Sequence, residues 1–239
     1  AAEARARDWA VRNLSGMGFT HTWVEKFEMT AWQRLRESAA VVSPFPQPLR
    51  VTALGGSVST PVEGLIAPIR VFENLDALKQ AHHGSLEGLI AYVGHAMQST
   101  QDGSSYAYFN EARTKGPSIA AERGALAYLV RSIGTDSRRL PHTGSLAYLE
   151  EARKIPAFAL SNPDADQIER INEIKRPILV ELMLDSNRLS RALSGNVITE
   201  IIGRETPNEI VLIGAHLDSW DLGTGAVDDG AGVGITMAA

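Results

Sequence analysis

The sequence lacks cysteine altogether, which excludes disulfide bonds, thiolate zinc sites and a cysteine nucleophile. It also lacks a basic excess, since its formal net charge is −5 at pH 7, and this argues against a nucleic-acid partner. No apolar run approaches the ~20 residues of a membrane-spanning helix, so no membrane partner is expected. No signal peptide is visible, because residues 1–15 are typical of an amphipathic helix. The remaining composition, 44% hydrophobic and 21% charged, is that of an ordinary globular protein.

A proline cluster at residues 43–48 is the best candidate for a domain junction, because it interrupts regular structure. Strands are expected on both sides of it, and beyond it they alternate with single helices, which predicts an α/β fold class. The predicted strands are 22–29, 34–42, 49–54, 65–72, 88–93, 155–160, 178–184, 197–202 and 209–215. The predicted helices are 1–14, 118–132, one that starts at Asn162-Pro163, and one that starts at Gly230.

The last predicted strand leads into the stretch GAHLDSWDLGTGAVDDGAG, residues 214–232. The strand is apolar on both faces, as is typical of a strand covered by helices on both sides of its sheet. Open α/β sheets bind ligands at the carboxyl ends of their strands. The stretch therefore lies where a site is expected.

Residue types in this stretch suit a metal ion. Neutral imidazole is a good zinc ligand, and a carboxylate can bind one metal or bridge two. His216 and Asp218 are two apart and would point to the same side of an extended chain. Asp228 could return to His216 across the glycine-rich loop, since Gly223 and Gly225 permit unusual backbone conformations. The spacing permits a shared metal ion, with Asp218 orienting the imidazole.

Other interpretations of the same residues remain open on spacing alone. His216 could be a hydrogen-bonded histidine at a strand end. The aspartates could form turns or cap a helix, since Asp229 precedes Gly230 at a predicted helix start. A phosphate cradle is less favoured, because Asp228 stands where a third glycine would be required and would repel the phosphate.

Several segments together resemble the co-catalytic two-zinc exopeptidases, the family of secreted zinc aminopeptidases and glutamate carboxypeptidases, and its plasma glutamate carboxypeptidase branch most of all. The segments are SPFPQPL (43–49), ALGGSV (53–58), RS (131–132), PHTG (141–144) and HLDSWD (216–221). The resemblance implies a mixed-sheet α/β/α peptidase domain interrupted by a protease-associated insert, a β-rich α/β domain. The implied ranges are 1–43 and 186–239 for the peptidase domain and 44–185 for the insert.

The resemblance also implies roles for individual residues. His216 would be a terminal ligand of one zinc ion, Asp228 would bridge two zinc ions, and Asp218 would orient His216. Trp220, Asp221 and His142 are candidates for contacting a peptide substrate. The peptide bond between Asp228 and Asp229 is expected to be cis.

A zinc-dependent exopeptidase acting on dipeptides or short peptides is therefore the expected function, with export and a homodimer as further expectations from the family. The general-base glutamate and the other zinc ligands of the family follow the bridging aspartate, so we expect the sequence as written to be a catalytically inactive part of a longer peptidase. The alternative is a non-catalytic, protease-associated binding module on a partial scaffold.

Overall fold

The computed structural model describes residues 2–239 as a mixed α/β structure with six helices and eight strands in that range. The helices are α1 Ala2–Ser15, α2 Leu75–Lys79, α3 Ser104–Thr114, α4 Gly116–Glu122, α5 Asn162–Glu173 and α6 Gly230–Ala238. The strands are β1 His21–Ser43, β2 Gln47–Leu49, β3 Val51–Ala53, β4 Leu65–Phe72, β5 Ile90–Val93, β6 Ala127–Arg131, β7 Ala157–Leu160 and β8 Leu179–Glu200. The predicted α/β class is confirmed.

The strands form one mixed sheet in the order β2-β1-β8-β4-β5-β6-β7-β3. Strands β4, β5, β6 and β7 are parallel neighbours, while β3 pairs antiparallel with β7 and β8 pairs antiparallel with β4. By chain contacts the protein divides into two compact units. Unit 1 comprises residues 1–31 and 189–239, and unit 2 comprises residues 32–188.

Unit 2 has a well-filled core on both faces of its sheet. On one face, Ile168 and Ile171 of α5 pack with Phe158 of β7. On the other face, helices α2 and α4 contribute Leu78 and Ala120 to a second cluster. Helix α5 begins with Ser161 as its N-cap and proline in its first turn, as the sequence predicts.

Unit 1 has far fewer buried side chains. Among residues 2–31 and 189–239, the buried apolar side chains are those of Ala10 and Leu14 in α1. Its strands are tied by the hydrogen bond from the Thr20 N–H to the Glu200 carbonyl, 3.0 Å, and Ser194 donates to Glu3 of α1, 2.7 Å.

The helix predicted for 118–132 is wrong beyond Glu122. Helix α4 ends at Glu122, and Gly124 follows with a φ of +97°, a conformation that interrupts an α-helix. The next residues form β6, which is buried between β5 and β7. Pairing in the sheet therefore overrides the helical propensity of this alanine-rich segment.

The strand predicted for 209–215 is also wrong. The structure has neither helix nor strand between the end of β8 and the start of α6. The side chains of Ile210, Val211 and Leu212 are 87%, 91% and 88% exposed. A strand requires partners for its backbone N–H and C=O groups, and none of the strands among residues 2–239 pairs with this run.

Two long strands replace two pairs of shorter predicted ones. β1 covers both 22–29 and 34–42, and β8 covers both 178–184 and most of 197–202. None of the helices among residues 2–239 has the length and apolar character required to cross a membrane.

Candidate metal centre

The HLDSWD segment and the two aspartates after it lie in unit 1, on the loop that leads into α6. The loop turns back at Gly225, whose φ is +67°. There the Gly225 carbonyl accepts a hydrogen bond from the Gly230 N–H at 2.8 Å. A side chain at Gly225 would overlap Ser219. Glycine at this position thus permits the reversal that the sequence predicts.

This reversal brings His216 and Asp228 together. Nε2 of His216 lies 2.9 Å from Oδ1 of Asp228, although the two residues are 12 apart in the chain. Nitrogen and oxygen ligands each bind zinc at about 2.0–2.2 Å, so two atoms this close can share one ion. The two residues predicted as metal ligands are therefore adjacent in space.

Two oxygens of Asp218 contact Nδ1, the other ring nitrogen of His216. Nδ1 is 2.9 Å from the Asp218 backbone carbonyl and 3.3 Å from Oδ1 of its carboxylate. A carbonyl acceptor at Nδ1 fixes the tautomer that leaves Nε2 free to bind a metal. The orientation predicted for Asp218 thus involves its backbone as well as its side chain.

The surroundings of His216 are electrically negative. The hydrogen bond to the Asp218 carbonyl is the largest influence that raises the pKa of His216, and the Asp228 side chain and the charges of Asp218 and Asp229 act in the same direction. An environment that favours an imidazolium ion also attracts a metal cation.

Asp229 has a role different from that of its neighbour. Its Oδ1 accepts a hydrogen bond from the Gly232 N–H at 3.1 Å and its Oδ2 accepts one from the His216 N–H at 3.2 Å. It is the N-cap of α6, so the capping interpretation of the sequence is correct for this aspartate. The Asp228–Asp229 peptide bond is cis, as the resemblance implies.

The candidate ligands are accessible from solvent. The side chains of His216 and Asp228 are 50% and 78% exposed. Beside them is a cavity of about 360 Å³, lined by Ala6 and Trp9 of α1, by loop residues that include His216 and Asp218, and by Val233 of α6. Trp9 was not predicted to be near the site, because it is distant in sequence and its spacing indicates only an apolar helix face.

The candidate substrate contacts lie in different units. Trp220 and Asp221 follow Asp218 on the same exposed loop of unit 1. His142 belongs to unit 2, where Nδ1 of its ring is 2.9 Å from the Ile133 carbonyl and Nε2 is 2.7 Å from the Asp136 carboxylate. A substrate role for these three residues stays a prediction.

An imidazole beside a carboxylate fits zinc chemically. Among residues 2–239, however, no group of three or more His, Cys, Asp or Glu side chains is arranged to hold a metal ion. His216 and Asp228 are thus two candidate ligands, fewer than the three protein ligands that a catalytic zinc ion typically has.

Residues 196–239 match the model of Peptidase family M28. Nearly the whole chain is similar to carboxypeptidase Q: the Bos taurus protein is 33% identical over 98% of this chain, and the Homo sapiens protein is 32% identical over 95%. The chain spans 48% and 47% of these two proteins, about half their length.

Solved structures are similar over the same extent. A peptidase M28 precursor from Shewanella amazonensis has a TM-score of 0.95 and 46% identity, covering 99% of this chain and 53% of that one. A zinc aminopeptidase from Bacillus subtilis has a TM-score of 0.63 at 18% identity, covering 99% of this chain and 50% of that one. The second likeness shows a shared fold alone.

Proposed function

This chain resembles the two-zinc exopeptidases of peptidase family M28, and carboxypeptidase Q among them, and on that premise we propose that the protein containing it is a zinc-dependent exopeptidase of dipeptides or short peptides. The observation that carries the proposal is the 2.9 Å contact between His216 and Asp228. The imidazole of His216 and the carboxylate of Asp228 are both zinc-binding groups, and the loop geometry brings them together.

Each residue of the loop has a distinct part in the proposal. His216 binds one zinc ion through Nε2, and its ring is held by Asp218 from the opposite side. Asp228 would hold both zinc ions, because a carboxylate has an oxygen for each. When bound, a zinc pair supplies an activated water and polarises a carbonyl. Trp220 and Asp221 on the loop would contact the peptide, and a substrate contact by His142 of unit 2 stays a separate prediction.

The 239-residue chain by itself is proposed to bind zinc weakly and to hydrolyse no peptide. This follows from the two-ligand centre, because weak coordination leaves each ion poorly fixed. In this proposal Asp218 orients His216 and Asp228 binds the metal, so neither is assigned as the general base. Export and a homodimer are part of the same proposal and rest on the resemblance alone.

The alternative function is a binding module in which unit 2 is the active part. Its support is the well-filled core of unit 2, which contrasts with the exposed side chains of unit 1. Unit 2 would then be the proposed protease-associated insert, with boundaries near 44–185.

Zinc content and peptide hydrolysis separate the two functions. The natural protein that contains this chain is purified, its zinc is quantified, and it is offered dipeptides with free, N-acetylated or C-amidated ends. Bound zinc with hydrolysis supports the exopeptidase, and absence of both supports the binding module. Cleavage of the acetylated series alone indicates a carboxypeptidase, and cleavage of the amidated series alone indicates an aminopeptidase.

A further inference from the structure

The Asp229 carboxylate contacts two segments of unit 1. One oxygen of its carboxylate accepts from the Gly232 N–H in the first turn of α6, and the other accepts from the His216 N–H on the metal loop. Asp229 is half-buried whereas Asp228 is exposed. Two adjacent carboxylates thus have different tasks, since one contacts backbone N–H groups and the other contacts the imidazole.

The His216 backbone has few other restraints. In the part of the chain that the structure describes, residues 210–219 lie outside helices and strands. None of their N–H groups donates to a backbone carbonyl within that part. The bond to Asp229 is therefore a direct restraint on where the His216 backbone lies relative to Asp228, the residue covalently attached to Asp229.

The helix supports this arrangement electrostatically. Asp229 is the N-cap of the nine-residue helix α6, where the partial positive charge of the helix N-terminus stabilises a carboxylate. Gly232 leaves room for the contact, because a Cβ at that position would overlap the Asp229 carboxylate. The position of α6 is in this way coupled to the position of a predicted metal ligand.

We propose that Asp229 is a positioning residue: by anchoring the His216 backbone to the first turn of α6, it holds the imidazole at the distance from Asp228 that one metal ion requires. The proposal rests on the proposed zinc function. It assigns to Asp229 no contact with the metal. Loss of the anchor is expected to weaken zinc binding by the roughly 10–100-fold that is typical when a partner of a ligand is removed.

A serine variant separates the anchor from the helix cap. In Asp229→Ser the hydroxyl still caps α6, since serine is as good an N-cap as aspartate, but it has one oxygen and a shorter side chain and no longer reaches the His216 N–H. Asp229→Ala loses both contacts. Glu209→Ser removes one negative charge elsewhere in unit 1 and is the control for charge.

Zinc affinity of the 239-residue chain is measured for each variant by competition with a chromophoric chelator, together with the visible spectrum of the cobalt form and the melting temperature without metal. Asp229→Ser is expected to lose about tenfold or more in affinity, to change the cobalt spectrum, and to melt like the wild type. Glu209→Ser should retain the wild-type affinity and spectrum. The loss should persist at high salt, because about 1 M salt shortens electrostatic range to roughly 3 Å and removes an effect of charge alone.

Two negative results have different meanings. A wild-type chain that binds zinc and an Asp229→Ser variant that binds it equally well, with the same cobalt spectrum, would overturn the positioning role and leave the zinc function intact. A wild-type chain that takes up neither zinc nor cobalt would overturn this inference, while the zinc content of the natural protein that contains the chain tests the proposed function separately.

Discussion

Nε2 of His216 and Oδ1 of Asp228 are 2.9 Å apart and face each other across a loop that reverses at Gly225. The proximity of these two side chains is independent of any strand, because residues 201–229 form none. The loop alone, with its turn at Gly225 and its cap at Asp229, brings a histidine and a carboxylate together. A metal centre in this chain would therefore be sensitive to each of the loop's few contacts.

Asp228→Asn should weaken zinc binding by more than the roughly 10–100-fold that is typical for a residue behind a ligand. The amide retains the size of the side chain but loses the negative charge that attracts and binds the ion. Zinc affinity measured by chelator competition checks this, with the exposed Glu205→Gln as a charge-matched control. Equal affinities for Asp228→Asn and wild type would contradict a ligand role for Asp228.

Asp218→Asn should have a smaller effect, a loss of about tenfold or less. The backbone carbonyl of Asp218 is nearer to Nδ1 of His216 than its carboxylate is, 2.9 Å against 3.3 Å, and the substitution leaves the carbonyl in place. The same titration measures it. A loss as large as that of Asp228→Asn would show that the Asp218 carboxylate itself, and not the carbonyl, controls the imidazole.

Much of unit 2 could be predicted from sequence, because hydrophobic runs and helix caps are local signals. β4 was expected at 65–72, and α5 was expected from Ser161 and Pro163. Helix α3, Ser104–Thr114, was missed because its sequence is polar and its N-cap residue, Gly103, has no side chain to cap the helix. Helix α2, Leu75–Lys79, was also missed. The error at 118–132 and the missed helix α3 both concern segments whose structure depends on tertiary packing.

In the candidate site, residue types and spacing offered His216, Asp218 and Asp228 as candidates, and the family resemblance favoured the metal interpretation over the capping one. The anchor at Asp229 could not be predicted in the same way, because it depends on two hydrogen bonds from segments on either side of the loop. The exposure of 210–213 could not be predicted either, since an apolar run indicates burial only where another segment pairs with it.

Tyr128→Phe should destabilise unit 2 by about 1–2 kcal/mol. The ring is fully buried and its hydroxyl donates to the Ala112 carbonyl at 2.8 Å, so the substitution leaves a buried acceptor without its donor. Urea unfolding followed by circular dichroism measures the change. Tyr108→Phe, at a side chain that is 61% exposed, is the matched control and should unfold like the wild type.

Unit 2 should lose stability as the pH rises from about 10 to 12. Burial raises the pKa of Tyr148 to about 12, so its contribution is complete below the unfolded pKa of about 10 and disappears as the pH rises through the folded value. The gap of about two units corresponds to at most roughly 3 kcal/mol. Burial also raises the pKa values of Tyr92 and Tyr128, which adds to the effect.

Tyr148→Phe isolates the share of that one residue. Its free energy of unfolding should decline less steeply with pH above 10 than that of the wild type, in denaturant titrations at half-unit pH steps. Parallel declines in the two proteins would mean that Tyr148 ionises as freely in the folded state as in the unfolded one.

The exposed apolar run at 210–213 should cause the 239-residue chain to self-associate. Contiguous exposed apolar residues in an extended, unpaired backbone are a typical site for intermolecular strand pairing. Val211→Asp places a charge in the centre of the run and should lower the association measured by light scattering over a concentration series. Val62, 95% exposed and outside any such run, provides the control: Val62→Asp adds the same charge and should leave association unchanged. If both variants lowered association equally, net charge and not the apolar run would be its cause.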